Sequence, residues 1–259
     1  MVKDSWVFIP ARRASTRFFN KIMAPLQGKP LVMHVFDALC SHVSEGRVLI
    51  LVDDEENQRA LSQWTSHLLM TSQTCVNGTE RCWDAAKRLG LGEDELILNI
   101  QGDEPMVEPA HLEALMKPLR EHLGQSCVST LVASGGSRGD LENPHRVKVL
   151  MGQEHRCLAF FRELPSFLDI RSPVAIHAGF YGYSVKTLKE YASWDVAPLE
   201  HKYKLEQYRF LEHQVPVYFS HSPSQTCSVD TPEDLEALKH FLESGLGQKP
   251  YTEDKGISQ

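Results

Sequence analysis

Long apolar runs are missing from this chain. Its longest purely aliphatic stretch, "VLILV" at Val48–Val52, has the length of a strand and is far too short to cross a membrane. No apolar N-terminal core is followed by a small-residue cleavage site, so no secretory leader is expected. The six cysteines, at 40, 75, 82, 127, 157 and 227, form no C-x-x-C pair and no Cys/His cluster of zinc-finger spacing. That argues against a disulfide framework or a zinc site. Cys40, Cys127 and Cys157 fall inside apolar segments and read as small core residues, and a reducing cytoplasm is the simplest compartment. No G-x-G-x-x-G follows the first apolar segment, which disfavours a hydride-transferring dinucleotide enzyme. Internal repeats and long linkers are absent too. Positive charge is in the minority, with 27 Lys and Arg against 34 Asp and Glu and a formal net charge of −7. Non-specific nucleic-acid binding is thereby disfavoured, because the phosphate atmosphere repels such a surface.

The 259 residues, 42% hydrophobic and 24% charged, suit a soluble α/β protein with a sizeable core. Through the first half, apolar runs alternate with amphipathic ones: "WVFI", a helix after Pro30, "RVLILV", a polar helix from about Glu55 to Ser66, "HLLMT", a helix over "TERCWDAAKRL", "ELILNI" and a helix over "EPAHLEALMKPLREHL". This order predicts a mainly parallel sheet covered on both faces. The second half offers strands at "CVSTLVAS", "RVKVLM", "RCLAFF" and "IHAGFYGYS", then a helix over "HKYKLEQYRFLEHQ", a strand at "VPVYFS" and a helix over "TPEDLEALKHFLES". In the last of these, Thr231 is the expected N-cap, with Pro232 at the first helical position. Residues 1–245 read as one domain and 246–259 as a polar tail. The Gly- and Ser-rich segment 133–145 reads as an excursion.

Ligands of open parallel sheets sit beyond the carboxyl ends of the strands. After the first strand comes "ARRASTRFFNK", with Arg12, Arg13, Arg17 and Lys21; after "ELILNI" comes "QGDEP"; after "VPVYFS" comes "VDTPEDLE". One sheet edge thus carries a cationic loop and two separated acids, Asp103 and Asp230. Cations suit a polyphosphate, and two carboxylates suit Mg²⁺, which shares its shell with phosphate and water. Together these are the parts needed for phosphoryl or nucleotidyl transfer. Each part has a plainer reading: a salt-bridged surface loop, and aspartates that start helices. In "NGTERCWDAA", Asn-Gly suits a turn, Thr79 is the expected cap of the next helix, and Arg81 lies one turn in.

Taken together, "IPARRASTRFFNK", "NGTER", "QGDEPMV", "VKV", "IHAGFYGY", "PLEHKYKLEQYRFL" and "VDTPEDLEAL" resemble the 3-deoxy-manno-octulosonate (Kdo) cytidylyltransferases, or CMP-Kdo synthetases. The likeness extends from residue 6 to about residue 243. It implies a Rossmann-like nucleotidyltransferase fold, usually dimeric. It also implies transfer of CMP from CTP to the anomeric hydroxyl of an eight-carbon acid sugar that supplies lipopolysaccharide or another surface glycan. By motif, the resemblance places Arg12, Arg17 and Lys21 on the CTP phosphates, Thr79 and Arg81 near the nucleotide, and Gln101 near the reacting centre. Asp103 and Asp230 would carry Mg²⁺. Arg162, His177, Tyr181, Glu206 and Gln207 would line the sugar site, and Lys148 would contact either ligand. Taken alone, Glu206 reads equally as the exposed face of a helix, His177 as a satisfied core histidine, and Tyr181 as sheet packing.

Three departures stand out. The first loop reads "RFFNK" where the family has Arg-Leu-Pro-Gly-Lys. Asn20 thus replaces a glycine, and asparagine is the next best residue for positive φ. Asn77 stands where serine is usual, and the stretch from Arg162 to His177 is short. An acceptor related to Kdo, such as an amino-Kdo or a sialic acid, therefore stays open. So does a catalytically silent nucleotide-binding paralogue, which the retained cations and aspartates disfavour.

Overall fold

The structure, a computed structural model, describes residues 5–13, 18–133, 138–168 and 171–244. Strand β1 (Trp6–Ala11) leads through a 3-10 turn at Lys21–Met23 and a small ribbon, β2 (Pro25–Leu26) and β3 (Lys29–Pro30), into α1 (Leu31–Cys40). Then come β4 (Val48–Val52), α2 (Glu55–Leu61), β5 (Leu68–Met70), α3 (Gly78–Leu89), β6 (Leu96–Ile100) and α4 (Pro109–Glu121). The second half holds β7 (Val128–Ala133), α5 (Arg138–Glu142), β8 (Lys148–Met151), β9 (Cys157–Phe161), β10 (Val174–Ser184), α6 (Val185–Ser193), α7 (Pro198–Tyr203), α8 (Gln207–Glu212), β11 (Val217–His221) and α9 (Pro232–Glu243).

The main sheet runs β11-β7-β10-β6-β1-β4-β5, with β8 attached to β10 and β9 to β8. Along the main path only β10 opposes the rest, pairing antiparallel with both β6 and β7. The others pair in parallel, so the central sheet is mostly parallel, and helices cover both faces. Alternation along β1 shows why. Val7, Ile9 and Ala11 point into a core closed by α1 and α4, while Phe8 points into one closed by α3, α6 and α8. Each fully buried aliphatic side chain contributes on the order of 1.5–3 kcal/mol. A third cluster joins Leu235 and Leu238 of α9 to Leu26, Leu31 and Val229. It brings the C-terminal helix against the segment that follows β1. No described helix is long and apolar enough to cross a membrane.

Several local expectations need correction. The cap of α3 is Asn77, whose side chain accepts from Glu80 N; Thr79 lies inside the helix. The single helix expected over 201–214 is two, α7 and α8, because Lys204 takes a left-handed φ of 55° between them. Helix α2 ends at Leu61, short of Ser66. Segment 133–145 contains the short helix α5, while residues 134–137 and the tail lie outside the described residues. Thr231 caps α9 as expected, in a reciprocal box with Asp234 and with Pro232 at the first turn.

Candidate functional site

The carboxyl ends of β1, β4 and β6 lie side by side. At this edge Lys21 Nζ donates to Asp230 Oδ1 at 2.9 Å and forms an ion pair with Asp103 Oδ2. Two carboxylates more than a hundred residues apart in sequence therefore close on one ammonium. Asp103 lies three residues past the end of β6. Its carbonyl accepts from Val229 N at 3.0 Å, which ties the "QGDEP" turn to the segment that presents Asp230. Gly102 suits this close turn, since a Cβ would lie only 3.2 Å from the Pro10 carbonyl oxygen. Burial works against the Lys21 charge, but Asp103 and then Asp230 outweigh it and raise its pKa above the ordinary value. Glu104, the next residue, is only 4% exposed, and its Oε2 has no hydrogen-bond partner. Burial, reinforced by Asp103 and Asp230, pushes its pKa up to about 8.

Among the described residues no three His, Cys, Asp or Glu side chains gather to cage a metal by themselves. Two carboxylates already gripping a cation nevertheless fit Mg²⁺, which is commonly held by one or two carboxylates together with phosphate and water.

The expected cations divide. Arg12 is exposed beyond the end of β1, and Arg17 lies outside the described residues. Arg81 is buried: it donates to Asp53 Oδ2 at 2.9 Å and to Thr71 Oγ1 at 2.7 Å. It braces the end of β4 and does not present a charge to solvent. Asp53 also accepts from Arg13 N at 3.2 Å, and the Arg13 guanidinium pairs with Glu56.

A largely buried polar network follows β6 and its neighbours. Gln101 Nε2 donates to Asn99 Oδ1 at 3.0 Å, and Asn99 Nδ2 donates to Tyr183 OH at 2.7 Å. Tyr183 OH lies 3.2 Å from Thr79 Oγ1, and Thr79 N donates to Glu206 Oε2 at 3.2 Å. Gly78 permits this approach, since a Cβ there would come within 3.2 Å of the Gln101 amide. Burial raises the Glu206 pKa, partly offset by its bonds to Thr79. Gln207 Nε2 donates to Tyr181 OH, while Gln207 Oε1 is buried without a partner. Thr130 Oγ1 donates to Phe180 O at 2.7 Å and lies 2.8 Å from His177 Nε2. The threonine proton is thus committed, and His177 must donate through Nε2–H. Burial pushes the imidazole pKa down to about 3, so the ring is neutral with Nδ1 as its acceptor.

Two residues expected at the sugar serve the scaffold. Lys148 is fully buried, and its ammonium donates to the carbonyls of Asn143 at 2.5 Å and Arg162 at 2.7 Å. It offers no surface to either ligand. The Arg162 guanidinium donates to Tyr203 O at 3.1 Å and Lys204 O at 3.2 Å, capping α7 at its left-handed break. Sequence reasoning passed over Asp53 and Glu104. Asp53 directly follows "VLILV", the same strand-end position that marks the other candidates. Glu104 is visible only once its burial is known.

A family model described as cytidylyltransferase matches residues 6–220. A relative from Shewanella sp. (strain ANA-3), an 8-amino-3,8-dideoxy-manno-octulosonate cytidylyltransferase, is 33% identical over 238 residues, 91% of this chain and 97% of its own length. The chain belongs to the CMP-Kdo synthetase family of cytidylyltransferases. A solved member, CMP:2-keto-3-deoxy-manno-octonic acid synthetase complexed with CTP, superposes with a TM-score of 0.81 at 26% identity, covering 93% of this chain and 99% of that one. A cytidylyltransferase from Leptospira borgpetersenii shares the fold, with a TM-score of 0.60 at 16% identity over 93% of this chain and 87% of its own.

Proposed function

We propose that this CMP-Kdo synthetase family member transfers CMP from CTP to the anomeric hydroxyl of Kdo or its 8-amino relative, releases pyrophosphate, and requires Mg²⁺. The observation that carries the reading is the meeting of Lys21, Asp103 and Asp230 at the carboxyl edge of the sheet. Lys21, with Arg12 and Arg17, binds the triphosphate. Asp103 and Asp230 hold Mg²⁺, which when bound offsets the charge of the phosphates. Gln101 and the neutral His177 supply fixed dipoles, Glu206 faces the acceptor, and the buried Tyr181–Gln207 pair supports it from behind. The acceptor oxygen attacks the α-phosphorus in line with departing pyrophosphate, so catalysis rests on positioning and charge stabilisation. In this reading the enzyme is a cytoplasmic homodimer that supplies lipopolysaccharide or another surface glycan.

The test is pyrophosphate release with CTP against the other nucleoside triphosphates, with and without Mg²⁺, across a panel of Kdo, 8-amino-Kdo and sialic acid. CTP with Kdo or 8-amino-Kdo is the expected active pair. Turnover only with another nucleotide, or with sialic acid alone, would contradict the reading. Light scattering reports the assembly state, with a dimer expected.

A further inference from the structure

The turn that aims Lys21 is unusual for what holds it. Asn20 sits at φ 51°, ψ 37°, a left-handed conformation that glycine adopts freely and other residues adopt at a cost. Its backbone N–H donates to Arg13 O at 3.2 Å, and its carbonyl accepts from Met23 N at 2.9 Å. The chain reverses here, sending Ile22 into the core and Lys21 towards Asp103 and Asp230. The Asn20 side chain faces Asn57. Asn20 Nδ2 donates to Asn57 Oδ1 at 3.1 Å, and Asn57 Nδ2 donates back to Asn20 Oδ1 at 3.0 Å. Each amide thus satisfies one donor and one acceptor of the other.

Asn57 is only 1% exposed and lies in the first turn of α2. There its own N–H is held by the capping Asp54 carboxylate at 2.9 Å. With Leu61 it forms the buried face of that helix. A polar side chain on an otherwise apolar helix face, fully sequestered, is costly unless its bonds are made, and here both are made to one residue of the lysine turn. The bonds of Asn57 go to Asn20 and Asp54, and not to Asp103 or Asp230.

We propose that Asn57 is a positioning residue: its reciprocal amide pair with Asn20 locks the left-handed turn that delivers Lys21 to the triphosphate. The pairing replaces the permissiveness of glycine with a side-chain clamp, so the lysine is aimed before the nucleotide arrives. The inference rests on Lys21 gripping the CTP phosphates.

Steady-state kinetics of Asn57→Leu, Asn20→Gly, the double variant and Lys21→Met test it, with thermal melting alongside. Asn57→Leu is expected to raise KM for CTP about tenfold, the scale of one or two lost hydrogen bonds, and to leave KM for the acceptor within about twofold. Asn20→Gly, which keeps the backbone conformation but removes the amide, is expected to move KM for CTP in the same direction and serves if Asn57→Leu fails to fold. The double variant is expected to be no worse than the poorer single variant, because both substitutions remove one interaction. A fall in kcat with KM for CTP unchanged would mean that Asn57 only stabilises the fold, and would overturn the proposal. So would unchanged kinetics in Asn20→Gly while Lys21→Met weakens CTP. If Lys21→Met itself leaves KM for CTP unchanged, the phosphate role of the lysine fails, and the clamp proposal falls with it by a separate route.

Discussion

A carboxyl group that keeps its proton near neutrality leaves a mark on the stability of the fold. Glu104 is held at about 8 against an ordinary 4.5, by burial first and by Asp103 and Asp230 after it. Between those values the unfolded chain has released this proton while the folded chain retains it. The contribution of Glu104 to stability is therefore largest below about 4.5, falls as pH rises through the window, and levels off above about 8. Without added metal, Glu104→Gln is expected to lose this component, and its melting temperature to decline less than the wild type between about pH 5 and 8. Parallel slopes would show that Glu104 ionises normally. His177 acts in the opposite sense at lower pH: its pKa is depressed from 6.5 to about 3, so stability is lost as pH falls through that range. Neither shift was legible in the sequence, because burial and facing charge are products of the fold. That Lys21 and the acids Asp103 and Asp230 share one edge of the sheet was legible, since each follows a particular strand; their direct pairing was not.

Elements show where local signals suffice and where they fail. Thr231 and Pro232 announce α9 by themselves. Helix α6 was missed because Ser184 ends β10 and caps the helix at once, accepting from Thr187 N at 3.2 Å with no turn between. The α7–α8 break was missed because Lys204, at φ 55°, is an ordinary helix former. What imposes the break is tertiary. Arg162 binds the carbonyls of Tyr203 and Lys204, and Arg209 on α8 forms two bonds to Glu200 on α7, at 2.6 and 2.8 Å. Arg209 also lies 4.1 Å over the ring of Tyr191. Replacing it leaves a buried carboxylate unpaired, so Arg209→Met is expected to cost about 3–5 kcal/mol in urea unfolding. A cost below about 1 kcal/mol would show that the pair does not hold the break. The β8–β9 connection carries a different strain, with Glu154 and His155 both left-handed at φ 54° and 56°. Two-residue turns of this kind favour Asn-Gly. Glu154→Asn with His155→Gly is expected to stabilise the protein by about 1 kcal/mol by relieving left-handed strain, and a destabilised double variant would show that these side chains hold the hairpin in another way.

At the scale of the whole molecule, the alternation of strands and helices through the first half was readable because β1, β4, β5 and β6 are almost wholly apolar. The antiparallel placement of β10 between β6 and β7 was not, since pairing partners distant in sequence leave no periodic trace. Yet that placement sets Tyr181 opposite Asn99 and brings the Tyr183 hydroxyl to the Asn99 amide. Likewise, α9 packs on β2 and α1 through Leu235 and Leu238, and Asp230, just ahead of α9, meets Lys21. The fold thus assembles one charged centre from its two ends, and the proposed chemistry depends on that assembly. The most direct measurement is the turnover of purified Asp103→Ala with CTP, Mg²⁺ and the active acceptor, alongside its melting temperature. At least a hundredfold loss of pyrophosphate release, roughly the scale of removing one charge-stabilising group, is expected with the fold intact. Turnover near the wild-type value would contradict the account.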